Sequence, residues 1–215
     1  DKILDRSKIG GRHSIPISTS FNLFKFFTFS PSVNYDEIWY LKRLSYSYDE
    51  VEKGVRLDTI KGFSRVWSYN TSLSASTRIY GTLFFKKGKI KAIRHVITPS
   101  ISMSFRPDFT KDRYGYYNEV QTNDQGDTKI YNNYQGFLFG GPSMGNSAAL
   151  NFSIGNNLEL KVVDENDSIS GTRKIKIFDN LDFSSNYNFL ADSFKLSKIR
   201  FSTRTSFFKN LISLS

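Results

Sequence analysis

The chain has 215 residues and a formal net charge of +10, from 30 Lys and Arg against 20 Asp and Glu. It contains no cysteine, which excludes a disulfide framework and a thiolate metal site within these residues. No apolar run approaches the ~18 residues of a membrane-spanning helix, and 20 Phe and 12 Tyr among abundant Ser, Thr and Asn favour strands.

Alternation with period two recurs along the chain and sets the class as all-β. The first run covers residues 12–23, with Ile15, Ile17, Phe21 and Leu23 on one face and Ser14, Ser18, Ser20 and Asn22 on the other. A tight link at Phe24 and Lys25 leads to a second run, where Phe27, Phe29, Val33, Tyr35 and Trp39 oppose Thr28, Ser30, Ser32, Asn34 and Asp36. Residues 41–61 are polar and charged and read as a long connection. The third run, 63–79, sets Phe63, Trp67, Tyr69, Leu73 and Ile79 against Ser64, Ser68, Asn70, Ser72 and Ser74.

A turn at Lys87 and Gly88 precedes the fourth and clearest run, RHVITPSISMSFRPDF. There Ile97, Ile101, Met103 and Phe105 oppose Thr98, Ser100, Ser102 and Ser104. Residues 108–145 contain NDQGD and GGPSMG and read as a long loop. The fifth run, 147–162, has one violation: Asn156 falls on the oily side, beside Gly155, where a β-bulge is expected. The linker DENDSISG leads to a sixth run, 174–189, and a short link to a seventh, 199–207. Residues 211–215 begin an eighth. The chain starts at Asp1, has no basic segment followed by an apolar one, and stops inside this last run, so it reads as a slice of a longer protein.

These runs exceed the 5–6 residues of an ordinary strand. About 14 residues at ~3.3 Å each, tilted ~40°, rise roughly 35 Å, enough to cross an apolar band ~25 Å tall. The links after the second and fourth runs are long, and those after the first and seventh are tight. Outer-membrane barrels have that asymmetry, although the link after the sixth run is short where a long one is due. The expected architecture is therefore an antiparallel up-and-down transmembrane β-barrel segment of seven to eight strands, with its oily face on lipid and its Ser/Thr face on a wide aqueous lumen. Pro16, Pro31 and Pro99 each remove a ladder donor, so each is expected at an interface, a bulge or a weakened seam.

Several strings carry a family resemblance: TRIYGTLFFKKGKIKAIRHVITPSISMSFRPDF at 77–109, HSIPIS at 13–18, PSVNYDEIWY at 31–40, FSIGNNLELKV at 152–162 and DNLDFSSNYNFLADSFKLS at 179–197. In order and spacing they resemble the lipopolysaccharide-assembly outer-membrane proteins, the LptD/OstA family, in its Bacteroidetes-type form. The resemblance implies a large outer-membrane barrel that inserts lipopolysaccharide into the outer leaflet without catalysing chemistry. It also implies periplasmic bridge proteins that deliver the substrate, a lipoprotein plug inside the barrel, a lateral seam between the terminal strands, and a jellyroll domain outside this slice.

No catalytic constellation or cofactor motif is present. His13 and His95 have no second ligand at metal spacing, and the acidic linker Asp164, Glu165, Asn166, Asp167 lacks the glycine and terminal glutamate of a calcium loop. GGPSMG lacks the Gly-Lys-Ser/Thr ending of a phosphate loop. Strand parity turns Arg78, Arg94, Arg106, Lys161, Lys174, Lys176, Arg200 and Arg204 toward the lumen against fewer acids. Such a lining suits lipopolysaccharide phosphates or an acidic plug surface, or else forms a cross-strand charge ladder. Trp39, Tyr40, Trp67, Tyr69, Tyr80, Phe84 and Phe85 are candidates for interfacial aromatic girdles. The excess of cations also admits nucleic acid, but here they face a lumen and are not interleaved with exposed aromatics, which disfavours it. Two other classes share the alternation: a general porin or nutrient-transporter barrel, and a soluble β-rich binding or adhesion protein.

Overall fold

The computed structural model describes residues 8–164, 171–207 and 212–214. In chain order the strands are β1 (Gly10–Ser18), β2 (Phe21–Leu23), β3 (Phe27–Asp49), β4 (Gly54–Ser76), β5 (Ile79–Phe84), β6 (Ile90–Arg106), β7 (Tyr117–Gln121), β8 (Thr128–Asn132), β9 (Ser147–Val163), β10 (Thr172–Asn188), β11 (Arg200–Phe207) and β12 (Ile212–Leu214). A single 3-10 turn, Asp112–Tyr114, interrupts the β character. Hydrogen-bonded neighbours follow the order β1-β3-β4-β6-β9-β10-β11-β12, with β2 also on β3 and β5 also on β6. The order is an open path from β1 to β12, and β7 and β8 form a separate hairpin. The fold is thus all-β and antiparallel, and the sheet does not close into a barrel.

Two departures from the expected strands have clear causes. Residues 41–61 are not a connection. β3 and β4 run through them, 23 residues each, to a tight turn at 50–53. Alternation in fact continues there, but its apolar parity reverses: Ile38, Tyr40 and Leu44 are buried on the even side, while Leu41 is exposed. The strand now has its protein contacts on the other face, supplied by residues remote in sequence.

The second departure concerns the prolines. The first run is split into β1 and β2, and the third is split into β4 and β5. At the breaks, Thr19 N–H donates to the Pro31 carbonyl and Thr77 N–H to the Pro99 carbonyl, each at 3.2 Å. Proline accepts but cannot return the reciprocal bond of an antiparallel pair, so the ladder opens opposite it. Pro16 lies in β1, opposite Asn34, at one end of the strand order. That is where a missing donor disturbs least.

The chain divides into two compact units. The first comprises the described residues up to Ser18 with Ser32–Thr71 and Phe105–Ser147. Its core is an aromatic cluster of Tyr40, Phe109, Tyr116, Tyr117, Tyr134 and Phe137 around Ile38, Leu44 and Val66. The 105–147 segment, of which 108–145 reads from the sequence as a loop, contains the β7–β8 hairpin and lies against β3 and β4. Tyr40 is 0 % exposed. Its hydroxyl donates to the Gly140 carbonyl (2.9 Å) and accepts from Phe139 N–H (3.2 Å). Gly10 is required beside it, because a Cβ there would lie 2.5 Å from the Tyr40 ring. The segment is held further by Leu44 N–H to the Asn133 carbonyl (2.8 Å) and by Ser64 with the Tyr134 hydroxyl (2.5 Å). At its base, Arg106 donates to the carbonyls of Met144 and Gly145, and Asp108 accepts from Gly145 N–H.

The second unit comprises Thr19–Pro31, Ser72–Ser104 and the described residues from Ala148 onward. The alternation expected in β6, β9 and β10 holds. Register pairs Phe183 with Ile154 and Phe201 on one face, and Ser184 with Ser153 and Arg200 on the other. The expected irregularity near Gly155 is present, but the extra residues are in β10, with register shifts between Lys176 and Phe178 and between Phe178 and Leu181. The oily face is bare. Ile101, Met103, Ile154 and Phe201 are 46, 48, 46 and 59 % exposed, so no described part of the chain covers them as a second layer.

Candidate functional site

The polar face of the second unit forms a continuous wall. Ser100, Ser102, Asn151, Ser153, Ser184 and Arg200 are among the residues that line a groove of about 470 Å³. Ser100 and Ser153 share a hydrogen bond across β6 and β9 (2.7 Å), and Ser185 bonds the Ser197 carbonyl (2.9 Å). A second groove, of about 330 Å³, is lined by Thr98, Asn157, Asn180 and Asp182 around Gly155. A Cβ on Gly155 would stand 3.0 Å from the Asp182 carboxylate, so the residue keeps that groove open. The wall offers hydroxyls and amides with few charges, which suits a hydrated or sugar-like surface.

The expected cations do not converge on one point. Arg94 reaches Glu159 (3.6 Å) and lies 5.8 Å from the centre of the Tyr80 ring. Lys176 pairs with Asp179 (3.0 Å) and stands opposite Glu159 in register. Two residue pairs further along, Lys161 stands directly opposite Lys174, a like-charge pair with no acid within ion-pair distance among the described residues. Arg200 and Arg204 stand opposite Ser184 and Asn180. Arg78 is exposed at the break between β4 and β5. Arg106 belongs to the first unit, where it staples the base of the 105–147 segment. Its Nε is buried without a hydrogen-bond partner among the described residues.

The expected girdle residues also divide. Trp39, Trp67 and Tyr69 share one face of the first unit with Tyr35 and Phe63, but Trp67 and Tyr69 are half-buried, edge-on to Phe109, and Trp67 also meets Tyr114. Tyr40 does not join them. It is in the core beneath the 105–147 segment, because its parity is even and that segment covers the even face. Tyr80 stands beside Arg94 on the polar face, and Phe84, on the same side of β5, is exposed opposite Ala92. Phe85 follows at the β5–β6 turn, its N–H bonded to the Lys91 carbonyl.

One cluster escaped the sequence reading. Glu37 and Arg65 form a 2.7 Å ion pair among the girdle aromatics. The available signal was parity: both are odd-numbered, in line with Tyr35, Trp39, Phe63 and Trp67, on a face where charge is out of place. The two histidines are engaged as well. His13 packs on Trp39 with ring centres 4.3 Å apart, and His95 bonds Asn156 (3.1 Å). No metal-holding cluster occurs among the described residues. Glu165, Asn166 and Asp167 of the acidic linker lie outside them.

Electrostatics in the 105–147 segment are those of a folded cap. The Thr110 hydroxyl and N–H, with Gly145 N–H, hold the Asp108 carboxyl below its usual range. Burial pushes the Tyr116 and Tyr117 phenols up.

A family model described as LptD protein matches residues 1–215, the whole chain. No curated protein and no solved structure matches it. No described helix is long and apolar enough to cross a membrane.

Proposed function

The chain belongs to the LptD family, and we propose that it forms part of the wall of a barrel that inserts lipopolysaccharide into the outer leaflet. The family acts in lipopolysaccharide transport and assembly at the outer membrane, and its all-β character agrees with an outer-membrane protein. In this reading the chain is a partial barrel domain. Further strands close the wall, a lipoprotein plug occupies the lumen, and periplasmic bridge proteins feed the substrate. The protein binds and guides and catalyses nothing.

One observation carries the reading: β6, β9 and β10 present a bare apolar face on one side and a hydroxyl- and amide-lined groove on the other. A soluble sandwich would bury the first face under another sheet. A narrow barrel would fill the second with bulky side chains. Hydrocarbon outside and a hydrated glycolipid inside satisfy both. Lys161 and Lys174, left without acids where Arg94 and Lys176 have them, then meet the substrate's phosphates.

Photo-crosslinking in living cells tests this in the full-length protein. A crosslinker at Ser102, Ser184 or Arg200 is expected to capture lipopolysaccharide. At Ile101, Ile154 or Phe183 it is expected to capture phospholipid. Capture of protein at the second set, or of no lipopolysaccharide at the first, overturns the reading.

A further inference from the structure

The ion pair of Glu37 and Arg65 is on a face that also carries Ile15, Ile17, Val33, Trp39 and Phe63, all exposed, and the half-buried Tyr35, Trp67 and Tyr69. It is also unusually well organised. Three donors converge on the carboxylate: the Tyr35 hydroxyl at 2.5 Å, Trp39 Nε1 at 2.6 Å and Arg65 Nη2 at 2.7 Å. Arg65 Nη2 also donates to the Tyr35 hydroxyl (3.0 Å). Beside the pair is a groove of about 320 Å³, lined by His13, Ser14, Ile15, Tyr35, Glu37 and Trp39.

An exposed ion pair contributes little to stability, and one facing apolar surroundings costs desolvation that an apolar pair would not. Its order here therefore points to a ligand. Arg65 is half exposed and makes its bonds through Nη2 alone, which leaves Nε and Nη1 without partners among the described residues. That free edge of the guanidinium fits a phosphate. The carboxylate and the Trp39 and His13 rings beside it fit an ammonium group. A purely anionic headgroup would meet Glu37 with like charge, and a purely cationic one would meet Arg65. A zwitterion satisfies both.

We propose that Glu37, Arg65, Tyr35, Trp39 and His13 form a seat for the phosphoethanolamine headgroup of a phospholipid, at the level where the outer wall passes from hydrocarbon to water. The phosphate lies on the Arg65 edge, and the ammonium lies over Trp39 and His13 against Glu37. The acyl chains run along Ile15, Ile17 and Val33. The seat rests on the reading that this face meets lipid.

The test is native mass spectrometry of the full-length protein, extracted in mild detergent and supplied with equal phosphatidylethanolamine and phosphatidylglycerol. The unaltered protein is expected to retain phosphatidylethanolamine. The Glu37→Gln/Arg65→Gln variant is expected to retain about tenfold less, a loss of the size expected for a charge-assisted contact, with heat-modifiable migration reporting that it is folded. If that variant fails to fold, Trp39→Phe, which keeps the ring and drops one donor, is expected to show a smaller loss in the same direction. Equal retention by a folded variant, or equal retention of the two lipids, overturns the seat. A crosslinker at Ile17 separates the two readings: capture of acyl chains there with no headgroup preference sinks the seat alone, and failure to capture lipid sinks the lipid-facing wall.

Discussion

His95 on β6 and Asn156 on β9 meet through a 3.1 Å hydrogen bond on the face that otherwise carries Ile97, Ile101 and Ile154. Asn156 also donates to the Leu181 carbonyl (3.1 Å), at the place where β10 carries its extra residues. The violation of alternation and the bulge are therefore one feature: the amide occupies backbone that the bulge frees, and the imidazole meets its other end. Replacing Asn156 by Leu alone leaves His95 without its partner and is expected to cost about 1–3 kcal/mol. The double replacement His95→Leu/Asn156→Leu is expected to recover much of that. Urea unfolding of these two variants, of His95→Leu alone and of the unaltered protein, in micelles, measures the coupling. Additive losses would show that the bond contributes nothing.

Lys161 and Lys174 oppose each other where a sheet usually sets opposite charges. Lys174→Glu is expected to stabilise the wall by about 0.2–1 kcal/mol while lowering surface lipopolysaccharide. Antibody staining of surface lipopolysaccharide at matched protein level is the measurement. Unchanged display, with the stability gained, would reduce the pair to an accident of the ladder.

Pro99 opens the ladder opposite Thr77. Pro99→Val restores the donor and is expected to join β4 and β5, adding about 0.5–1.5 kcal/mol for the new bond. Amide exchange at residues 77–79 is expected to slow in the variant. Unaltered exchange would mean that something other than the missing N–H holds the break open.

The tip of the β3–β4 hairpin should respond to pH at both extremes. The Tyr48 hydroxyl donates to Asp124 (2.5 Å), and Lys53 pairs with the same carboxylate (2.6 Å). Lys53 first and Tyr48 second hold the Asp124 carboxyl below its usual value. Its contribution is therefore present at neutral pH and lost as pH falls through that lowered value. Tyr48 is shifted the other way: its hydrogen bond to the carboxylate pushes the phenol up to about 12. Its contribution is full below the ordinary tyrosine value and is lost as pH rises toward about 12. Proteolysis at 50–53 is expected to accelerate in both ranges, and Tyr48→Phe is expected to abolish the alkaline limb.

Tyr40 ties the 105–147 segment to β3. Tyr40→Ala is expected to cost about 3–5 kcal/mol, as for a large buried ring, and to expose 133–140 to protease. Gly10→Ala is expected to act in the same direction without touching the segment, because its new methyl displaces the Tyr40 ring. Protection that survives Gly10→Ala would mean that the ring can shift without loss.

Much of this was legible in the sequence because β6, β9 and β10 alternate without a partner on either face to disturb the pattern. Ile101 and Ser102 differ in chemistry because they differ in surroundings. The reading failed where a distant segment supplied the surroundings. At 41–61 the apolar parity reversed under the 105–147 segment, and nothing local to Leu44 or Tyr46 announces that Asn133 and Tyr131 lie beside them. Tyr40 was misplaced for the same reason. Arg106 read as one more inward cation because parity cannot distinguish open space from the carbonyls of Met144 and Gly145. Glu37 and Arg65 were within reach, since each breaks the apolar parity of its own strand, but only the fold puts them side by side.

The turn at 123–127 is knitted largely from within, although Asp124 also holds Tyr48 and Lys53 of the β3–β4 hairpin. Asn123 bonds the Asp127 carboxylate, and its own side-chain oxygen accepts from the N–H groups of Gln125 and Asp127. The Asn123 bonds are local, and a peptide tag spliced after Gln125 would leave the aromatic cluster undisturbed. It is the natural place to attach a label.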